Sequence, residues 1–139
     1  MLQFSGQLGI HTRGKGLYEV TSEITSWLSQ QPVSNGLLTI YVKHTSTSLV
    51  IQENADRDVQ CDLADFFSRL VPDGDKNYRH TSEGPDDMSA HIRSTLTQTH
   101  LGIPVTSGRL GLGTWQGIFV FEHRSHPHHR GLTLHLIGE

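Results

Sequence analysis

From Ile103 to the end, the sequence contains only strand-like segments, and this uninterrupted β block constrains the fold more than any other feature. The segments are Ile103–Thr106, Arg109–Leu112, Gly117–Arg124 and Leu132–Ile137. Phe119 and Phe121 alternate with Ile118 and Val120. We therefore expect both faces of that strand to be covered.

The first two thirds of the sequence supply further strands and about three helices. Alternating or continuous apolar residues predict strands at Leu2–Ile10, Leu37–Val42 and Ser48–Gln52. Helices and strands occur in blocks rather than in strict βαβ alternation. The sequence therefore predicts an α+β fold with a mostly antiparallel sheet, formed as a single domain over residues 1–139.

Helical spacing of apolar residues places the three helices. The first stripe begins at Leu17 and ends before Pro32. The second helix is expected to start near Asn54 or Asp56, either of which can cap it. The third helix begins around Asp86. We expect its Met88, Ile92 and Leu96 to point into the core and Gly102 to be its C-cap.

The charge balance argues against several classes of partner. Eleven Lys and Arg residues against fourteen Asp and Glu give a net charge of −3. No basic surface therefore indicates nucleic-acid binding. No apolar run is long enough to span a bilayer, and residues Met1–Gly6 do not resemble a signal peptide. The single cysteine, Cys61, suits a reducing compartment, so we expect a cytoplasmic protein without a membrane partner.

Ten histidines in 139 residues are the unusual part of the composition. Asp87 and His91 are four residues apart, so on a helix they share a face and can touch. A carboxylate beside an imidazole can orient the ring for acid–base work or for metal binding. For Asp87 and His91 alone, an ordinary surface pair is the favoured interpretation, but it loses ground because His80, Glu83 and Asp86 crowd the same segment.

Other polar clusters have both a functional and a structural interpretation. The run from His44 to Ser48 can hold an anionic group or form a simple turn. Glu53 lies where a strand enters a helix, which favours capping over catalysis. Arg109 and Arg124 can bind phosphates or pair with acids across strands. We interpret the stretch from His126 to His129 as an exposed hairpin tip.

Several of these stretches resemble the YjbQ family, whose members are described as secondary thiamine-phosphate synthases. The resemblance covers essentially the whole chain, in order. It is carried by His44-Thr45-Ser46 with Ser48, Glu53-Asn54-Ala55-Asp56, Tyr78-x-His80, Glu83-Gly84-Pro85-Asp86-Asp87-Met88-x-Ala90-His91-Ile92, Gly113-Thr114-Trp115-Gln116-Gly117 and Glu122-His123-Arg124. Two positions depart from the pattern: Arg93 stands where lysine is common, and Cys61 where a basic residue is frequent.

The resemblance implies two packed β-sheets, assembly as a homotrimer with sites near subunit contacts, and a weak or secondary transferase activity. The reaction joins a hydroxymethylpyrimidine diphosphate to a thiazole phosphate and releases pyrophosphate. The leaving group needs cationic or metal stabilisation as its charge develops.

The residues of this chain allow a role for each part of that site. We expect a divalent metal, zinc or magnesium, to be held by some of His44, His80 and His91. Asp87 would orient His91, and Glu53 would act as a base or orient the pyrimidine. The remaining assignments concern the small phosphorylated substrate: Arg109 and Arg124 on its phosphates, with hydroxyl contacts from Thr45, Ser46 and Ser48.

Two other functions use the same residues. One is a metal-dependent hydrolase of phosphate esters. The other is a non-catalytic trimer whose histidines only bind metal or a small ligand.

Overall fold

Two antiparallel sheets form the body of the molecule in a computed structural model that describes residues 1–139. The strands are β1 (Leu2–Thr12), β2 (Gly16–Glu19), β3 (Gly36–Val42), β4 (Thr47–Glu53), β5 (His100–Thr106), β6 (Arg109–Leu110), β7 (Gln116–Glu122) and β8 (His128–Gly138). The large sheet has the order β1-β8-β3-β5-β6, and the small sheet the order β2-β7-β4. The predicted α+β class with two antiparallel sheets is confirmed.

Three helices accompany the sheets, as predicted. They are α1 (Thr21–Ser29), α2 (Arg57–Leu70) and α3 (Asp87–Leu96). Asp56 caps α2, because its carboxylate accepts a hydrogen bond from the backbone N–H of Asp58 at 2.9 Å.

The apolar core lies between the sheets. Every second residue of β3 and β8 points inward, so that Leu38 and Ile40 meet Leu134 and Leu136 across the ladder. Ile118 faces this core from β7 in the small sheet. The outer face of the large sheet is more open, and it leaves Leu37 and Tyr41 exposed.

Strand β7 is covered on both faces, which confirms the prediction from its continuous apolar run. Ile118 and Val120 face the core, and Phe119 and Phe121 are buried on the other side. There Phe67 of α2 packs edge-on against Phe121, with ring centroids 5.4 Å apart. A helix therefore forms a third layer on the small sheet.

The stripe that begins at Leu17 does not start a helix. Residues Gly16–Glu19 form β2, which pairs with β7, and α1 starts only at Thr21. Leu17 and Val20 fit a helical spacing but also fit a short strand that runs into a helix. The strand forms because it completes the small sheet.

The prediction for α3 is wrong in its buried face and in its end. Leu96 is 55% exposed, whereas Asp87, Ser89, Ala90, Arg93 and Ser94 are buried. The helix ends at Leu96, and Gly102 lies within β5. The inward side of α3 makes largely polar contacts, such as those of Asp87 with Arg124 and of Arg93 with the carbonyl of Val71.

The segment from His126 to His129 is not a hairpin tip. Its neighbours β7 and β8 belong to different sheets, so the chain crosses between the sheets here. His128 and His129 already belong to β8, where they pair with Thr12 and His11.

No helix is both long and apolar enough to cross a membrane.

Candidate metal centre

One end of the two sheets carries a dense group of polar side chains. Strand β3 leads into the turn at residues 44–46, β7 ends at Glu122, and α3 lies against β4. Because β4 and β7 are antiparallel, the start of one lies beside the end of the other, with Thr47 opposite Glu122. The fold thus brings the turn, the end of β7 and the first turn of α3 together.

Three potential metal ligands converge at this end. The Nε2 atom of His80 lies 2.7 Å from Oδ2 of Asp87, and Nε2 of His91 lies 3.0 Å from the same oxygen. The three ligand atoms all lie within 4.8 Å of one another. Spacing on one helix explains the Asp87–His91 contact, and the preceding loop returns His80 to it, as the sequence predicted.

The ring of His91 is held in one orientation. Its Nδ1 atom donates a hydrogen bond to the backbone carbonyl of Thr45 at 2.9 Å. A carbonyl can only accept, so Nδ1 carries a proton, and whenever the ring is neutral Nε2 presents its lone pair to the carboxylate of Asp87. Two acceptors that face each other need a proton or a cation between them. A histidine that binds a metal commonly donates its other ring N–H to a carbonyl, as His91 does here.

The carboxylate of Asp87 is shared between the histidines and an arginine. Oδ2 faces the rings, and Oδ1 accepts a hydrogen bond from Nη1 of Arg124 at 2.7 Å. Burial alone would raise the pKa of Asp87, but the hydrogen bond from His80 and the nearby charges of His91 and Arg124 lower it below its usual value. The group therefore stays ionised and can act as an anionic ligand.

Arg124 holds the start of α3. Its Nε atom donates to Oδ2 of Asp86 at 2.9 Å, and its Nη2 atom donates to the carbonyl of Glu83 at 3.1 Å. Burial opposes ionisation of Asp86, but the hydrogen bond from Arg124, the backbone N–H of Ser125 and the charge of Arg124 lower its pKa to about 2. The sequence predicted a phosphate contact for Arg124, whereas in the structure its donors bind protein acceptors.

The hydroxyl-rich turn reaches the centre through its backbone. Thr45 contributes its carbonyl to His91. Ser46 and Ser48 are buried: the Oγ atom of Ser46 accepts from Arg130 at 3.0 Å, and that of Ser48 is 2.8 Å from Nε2 of His123. These two hydroxyls bind protein groups in the structure.

His44 stands apart from the three convergent ligands. Its Nε2 atom accepts a hydrogen bond from the backbone N–H of Gly131 at 2.8 Å. Burial, followed by the charge of Arg130, lowers the pKa of His44, which keeps its ring neutral. The structure gives this histidine an anchoring contact between the turn and β8.

Glu53 and Arg109 lie at the opposite end of the molecule. Glu53 ends β4, six residues beyond Thr47 and therefore about 20 Å along the strand. Arg109 pairs with Thr106, which lies just beyond the Gly36 end of β3. The centre lies at the other end of β3, after Val42. Within one chain, neither side chain joins the convergent ligands.

A buried ion pair beneath the centre was not predicted from the sequence. Glu122 is fully buried and binds Arg130 through both carboxylate oxygens, at 2.5 and 2.8 Å. Burial opposes its ionisation, but hydrogen bonds from Arg130 and Thr12 lower the pKa of Glu122. Charged residues in strands that are otherwise apolar were the available signal, since such residues are rarely buried unless paired.

A cavity of about 370 Å³ adjoins the centre on the side of His80. The loop from Gly74 to Pro85 forms it, and both an acid, Asp75, and a base, Lys76, line it. Lys76 lines this cavity and makes no ion pair. A small anionic molecule placed here would lie next to the potential ligands.

Comparison with known proteins identifies the family. The family described as UPF0047 protein YjbQ-like matches residues 6–139. The chain belongs to the YjbQ family. It is 54% identical over 132 residues to a UPF0047 protein of Synechocystis, covering 95% of this chain and 90% of the relative. It is 44% identical over 133 residues to UPF0047 protein YjbQ of Escherichia coli, covering 95% and 96% respectively.

A solved structure shares the fold. The crystal structure of a hypothetical protein from Aeropyrum pernix K1 superimposes with a TM-score of 0.89 at 31% identity, covering 98% of this chain and 99% of that one. The resemblance stated for the sequence is therefore confirmed at the level of family and fold.

The family-like motifs are divided between the two ends of the molecule. Residues 83–92 and 122–124 build the centre. The Gly113–Gly117 stretch lies beside Glu53 and Asn54 at the other end, where the backbone N–H of Asn54 bonds to the carbonyl of Trp115 at 3.0 Å. The motifs that mark the family therefore do not all meet at one site within a single chain.

Proposed function

We propose that this YjbQ-family chain is a metal-assisted enzyme acting on a small phosphorylated substrate, with thiamine-phosphate synthase-like transfer as its reaction. The observation that carries the proposal is the convergence of His80, Asp87 and His91, with the tautomer of His91 set by the carbonyl of Thr45. A bound divalent metal would stabilise the negative charge that develops on the leaving pyrophosphate.

The donor set favours zinc over magnesium. Two imidazole nitrogens and one carboxylate oxygen suit zinc, whereas magnesium prefers oxygen ligands and keeps much of its water. Three protein ligands are also the usual number in catalytic zinc sites, which leave one position open. His44 is not needed for this set.

The chain's own groups would do the remaining work. Asp87 stays ionised as the anionic ligand, and Arg124 fixes its second oxygen. Lys76 would meet the phosphate oxygens in the adjoining cavity, a role expected of Arg109 and Arg124 from the sequence alone. Glu53 could contribute only from a neighbouring chain, because within one chain it lies at the far end of β4.

Ester hydrolysis is the second candidate reaction. It is favoured by the three-ligand set, which is the arrangement that activates a water molecule in many zinc hydrolases. The two reactions would share the metal ligands and differ in the group that attacks.

The test has two stages. Purified protein is first examined for bound zinc by elemental analysis and by titration of metal-free protein. It is then supplied with hydroxymethylpyrimidine diphosphate and thiazole phosphate, and both products are measured. Transfer predicts equal amounts of thiamine phosphate and pyrophosphate. Zinc-dependent formation supports transfer. Release of phosphate from simple esters without thiamine phosphate supports hydrolysis, and zinc binding without turnover supports the non-catalytic function.

We propose a homotrimer as the assembly, as the resemblance implies. Exposed apolar side chains on the outer face of the large sheet, Leu37 and Tyr41, are consistent with a subunit contact. Light scattering coupled to size-exclusion chromatography measures the mass, and a monomer at micromolar concentration would contradict this assembly. A cytoplasmic location remains a prediction.

A further inference from the structure

The ion pair between Glu122 and Arg130 is the most extensively bonded charged group in the interior. Oε1 of Glu122 accepts from Thr12 at 2.5 Å and from Arg130 at 2.8 Å. Oε2 accepts from Arg130 at 2.5 Å and from the backbone N–H groups of His123 and Arg124 at 3.0 and 3.2 Å. One carboxylate thus joins the ends of β1, β7 and β8.

Stability alone is a weak reason to keep such a pair. The cost of removing both charges from water can exceed the energy of their attraction, and apolar replacements of similar volume are often as stable. Glu122 is 0% exposed and Arg130 5% exposed, so the desolvation cost is close to its maximum. A role in fixing geometry would account for the pair better than a contribution to stability.

Two connections lead from this pair to the proposed metal ligands. On one side, Nη2 of Arg130 donates to the Oγ atom of Ser46 at 3.0 Å. The neighbouring residue, Thr45, provides the carbonyl that receives Nδ1–H of His91. His44 anchors the same turn from its other side, through the N–H of Gly131.

On the other side, the carboxylate of Glu122 fixes the backbone at Arg124. Its Oε2 atom accepts the backbone N–H of that residue, whose side chain then donates to Oδ1 of Asp87. The groups that orient His91 and Asp87 therefore both depend on one buried ion pair, although neither Glu122 nor Arg130 touches a ligand.

We propose that Glu122 and Arg130 are positioning residues of the metal centre, which hold the Thr45 carbonyl and the Arg124 guanidinium at the spacing that His91 and Asp87 require. This inference rests on the proposed function, because it names the support of the same centre. Partners that orient metal ligands commonly change metal affinity about 10- to 100-fold when they are removed.

Three variants test the proposal. Glu122→Gln keeps the shape and removes the charge, so both connections are weakened. Arg130→Lys keeps a positive charge beside Glu122 but loses the planar fork that reaches Ser46, so mainly the connection to His91 is weakened. Glu19→Gln is the matched control, a carboxylate near the opposite end of the same sheet, where it accepts hydrogen bonds from Thr21 and Asn54.

Zinc affinity is measured by titration of metal-free protein, well below the unfolding temperature of each variant. We expect about a tenfold loss in Glu122→Gln, a smaller loss in Arg130→Lys, and no change in Glu19→Gln. Cobalt substituted for zinc should show shifted absorption bands in the first two variants only. A purely structural role would lower their unfolding temperatures but leave zinc affinity and the cobalt spectrum unchanged, and that result would overturn the proposal.

A second measurement separates this inference from the proposed function. Nitrogen-15 NMR of the metal-free protein reports which ring nitrogen of His91 carries the proton. We expect Nδ1–H in the wild type and in Glu19→Gln, and a mixture of tautomers in the two site variants. If the wild type binds no zinc, the proposed function fails, while an unchanged tautomer in both site variants refutes the positioning role. If Glu122→Gln does not fold, Arg130→Lys alone decides the outcome.

Discussion

Both ends of the small sheet carry polar side chains, but the two ends use them differently. At the α3 end, acids face bases and histidines: Asp86 and Asp87 bind Arg124, and Glu122 binds Arg130. At the other end, Glu19 bonds only to neutral groups, the hydroxyl of Thr21 and the amide of Asn54. Polar residues in a motif therefore identify the family, whereas opposed charges and unpaired lone pairs identify the centre.

The largest expected effect is a loss of zinc binding when the α3 end is changed. Replacement of His91 by Ala removes one of the three proposed metal ligands, so we expect zinc affinity to fall by about 100-fold or more and turnover to be lost. Because His91 is only half-buried, the chain should still fold. Elemental analysis measures the bound zinc, and circular dichroism checks that the variant is folded.

His100→Ala is the control for this change, since that histidine is exposed at the start of β5. Zinc bound at full stoichiometry by the His91 variant would show that the centre lies elsewhere.

The next effect compares two arginines by their contribution to stability. Arg124→Met leaves Asp86 and Asp87 buried without their cation. We expect the free energy of unfolding to fall by about 3 kcal/mol. Arg109→Met at the far end removes an exposed side chain and should change it by less than about 0.5 kcal/mol. Urea denaturation of metal-free protein measures both, and equal losses would remove the distinction between the ends.

A third prediction concerns acid sensitivity. His123 lies at the α3 end, and burial, followed by the charge of Arg93, lowers its pKa to about 3. The unfolded chain takes up a proton at this residue below its usual pKa near 6.5, whereas the folded chain resists protonation until about pH 3. Stability from this group is therefore present above pH 6.5 and declines as the pH falls towards 3.

The slope of that decline should approach about 1.4 kcal/mol per pH unit, and His123→Gln should remove it. Unfolding free energies of the wild type and the variant, compared at several pH values between 3.5 and 7, give the difference. Parallel curves for the two proteins would mean that His123 is not held neutral.

The smallest expected effect is at Glu53. Because it lies about 20 Å from the start of its strand, Glu53→Gln should leave zinc affinity and turnover within about twofold of the wild type. Unchanged zinc affinity with a tenfold loss of turnover would instead place Glu53 of a neighbouring subunit at the substrate. This result would sharpen the comparison by assigning one end to the metal and the other to the substrate.

Sequence patterns predicted the elements that are governed by apolar burial. The strand at Leu37–Val42 and the doubly covered β7 follow directly from where apolar residues stand. The convergence of His80, Asp87 and His91 was predictable because two of them are one helical turn apart and the third lies on the adjoining loop.

The failures share a physical cause. The inward face of α3 and the separation of Arg109 from the centre depend on which strands pair, and local periodicity does not contain that information. The same holds for the Glu122–Arg130 pair, which joins strands that neighbour each other only in the finished fold. Leu17 shows the converse, since its helical spacing was overridden by pairing with Phe121 in β7.

Because α3 packs through polar contacts on its buried side, its position along its own axis must be precise. A helix that rests on aliphatic side chains can shift slightly and still bury the same area. A shift of α3 by one residue turns its side chains by about 100°, which would carry Asp87 away from Arg124 and the ring of His91 away from the carbonyl of Thr45. Insertion or deletion of a single residue between Pro85 and His91 should therefore be far less tolerated than the exposed surface of this helix suggests.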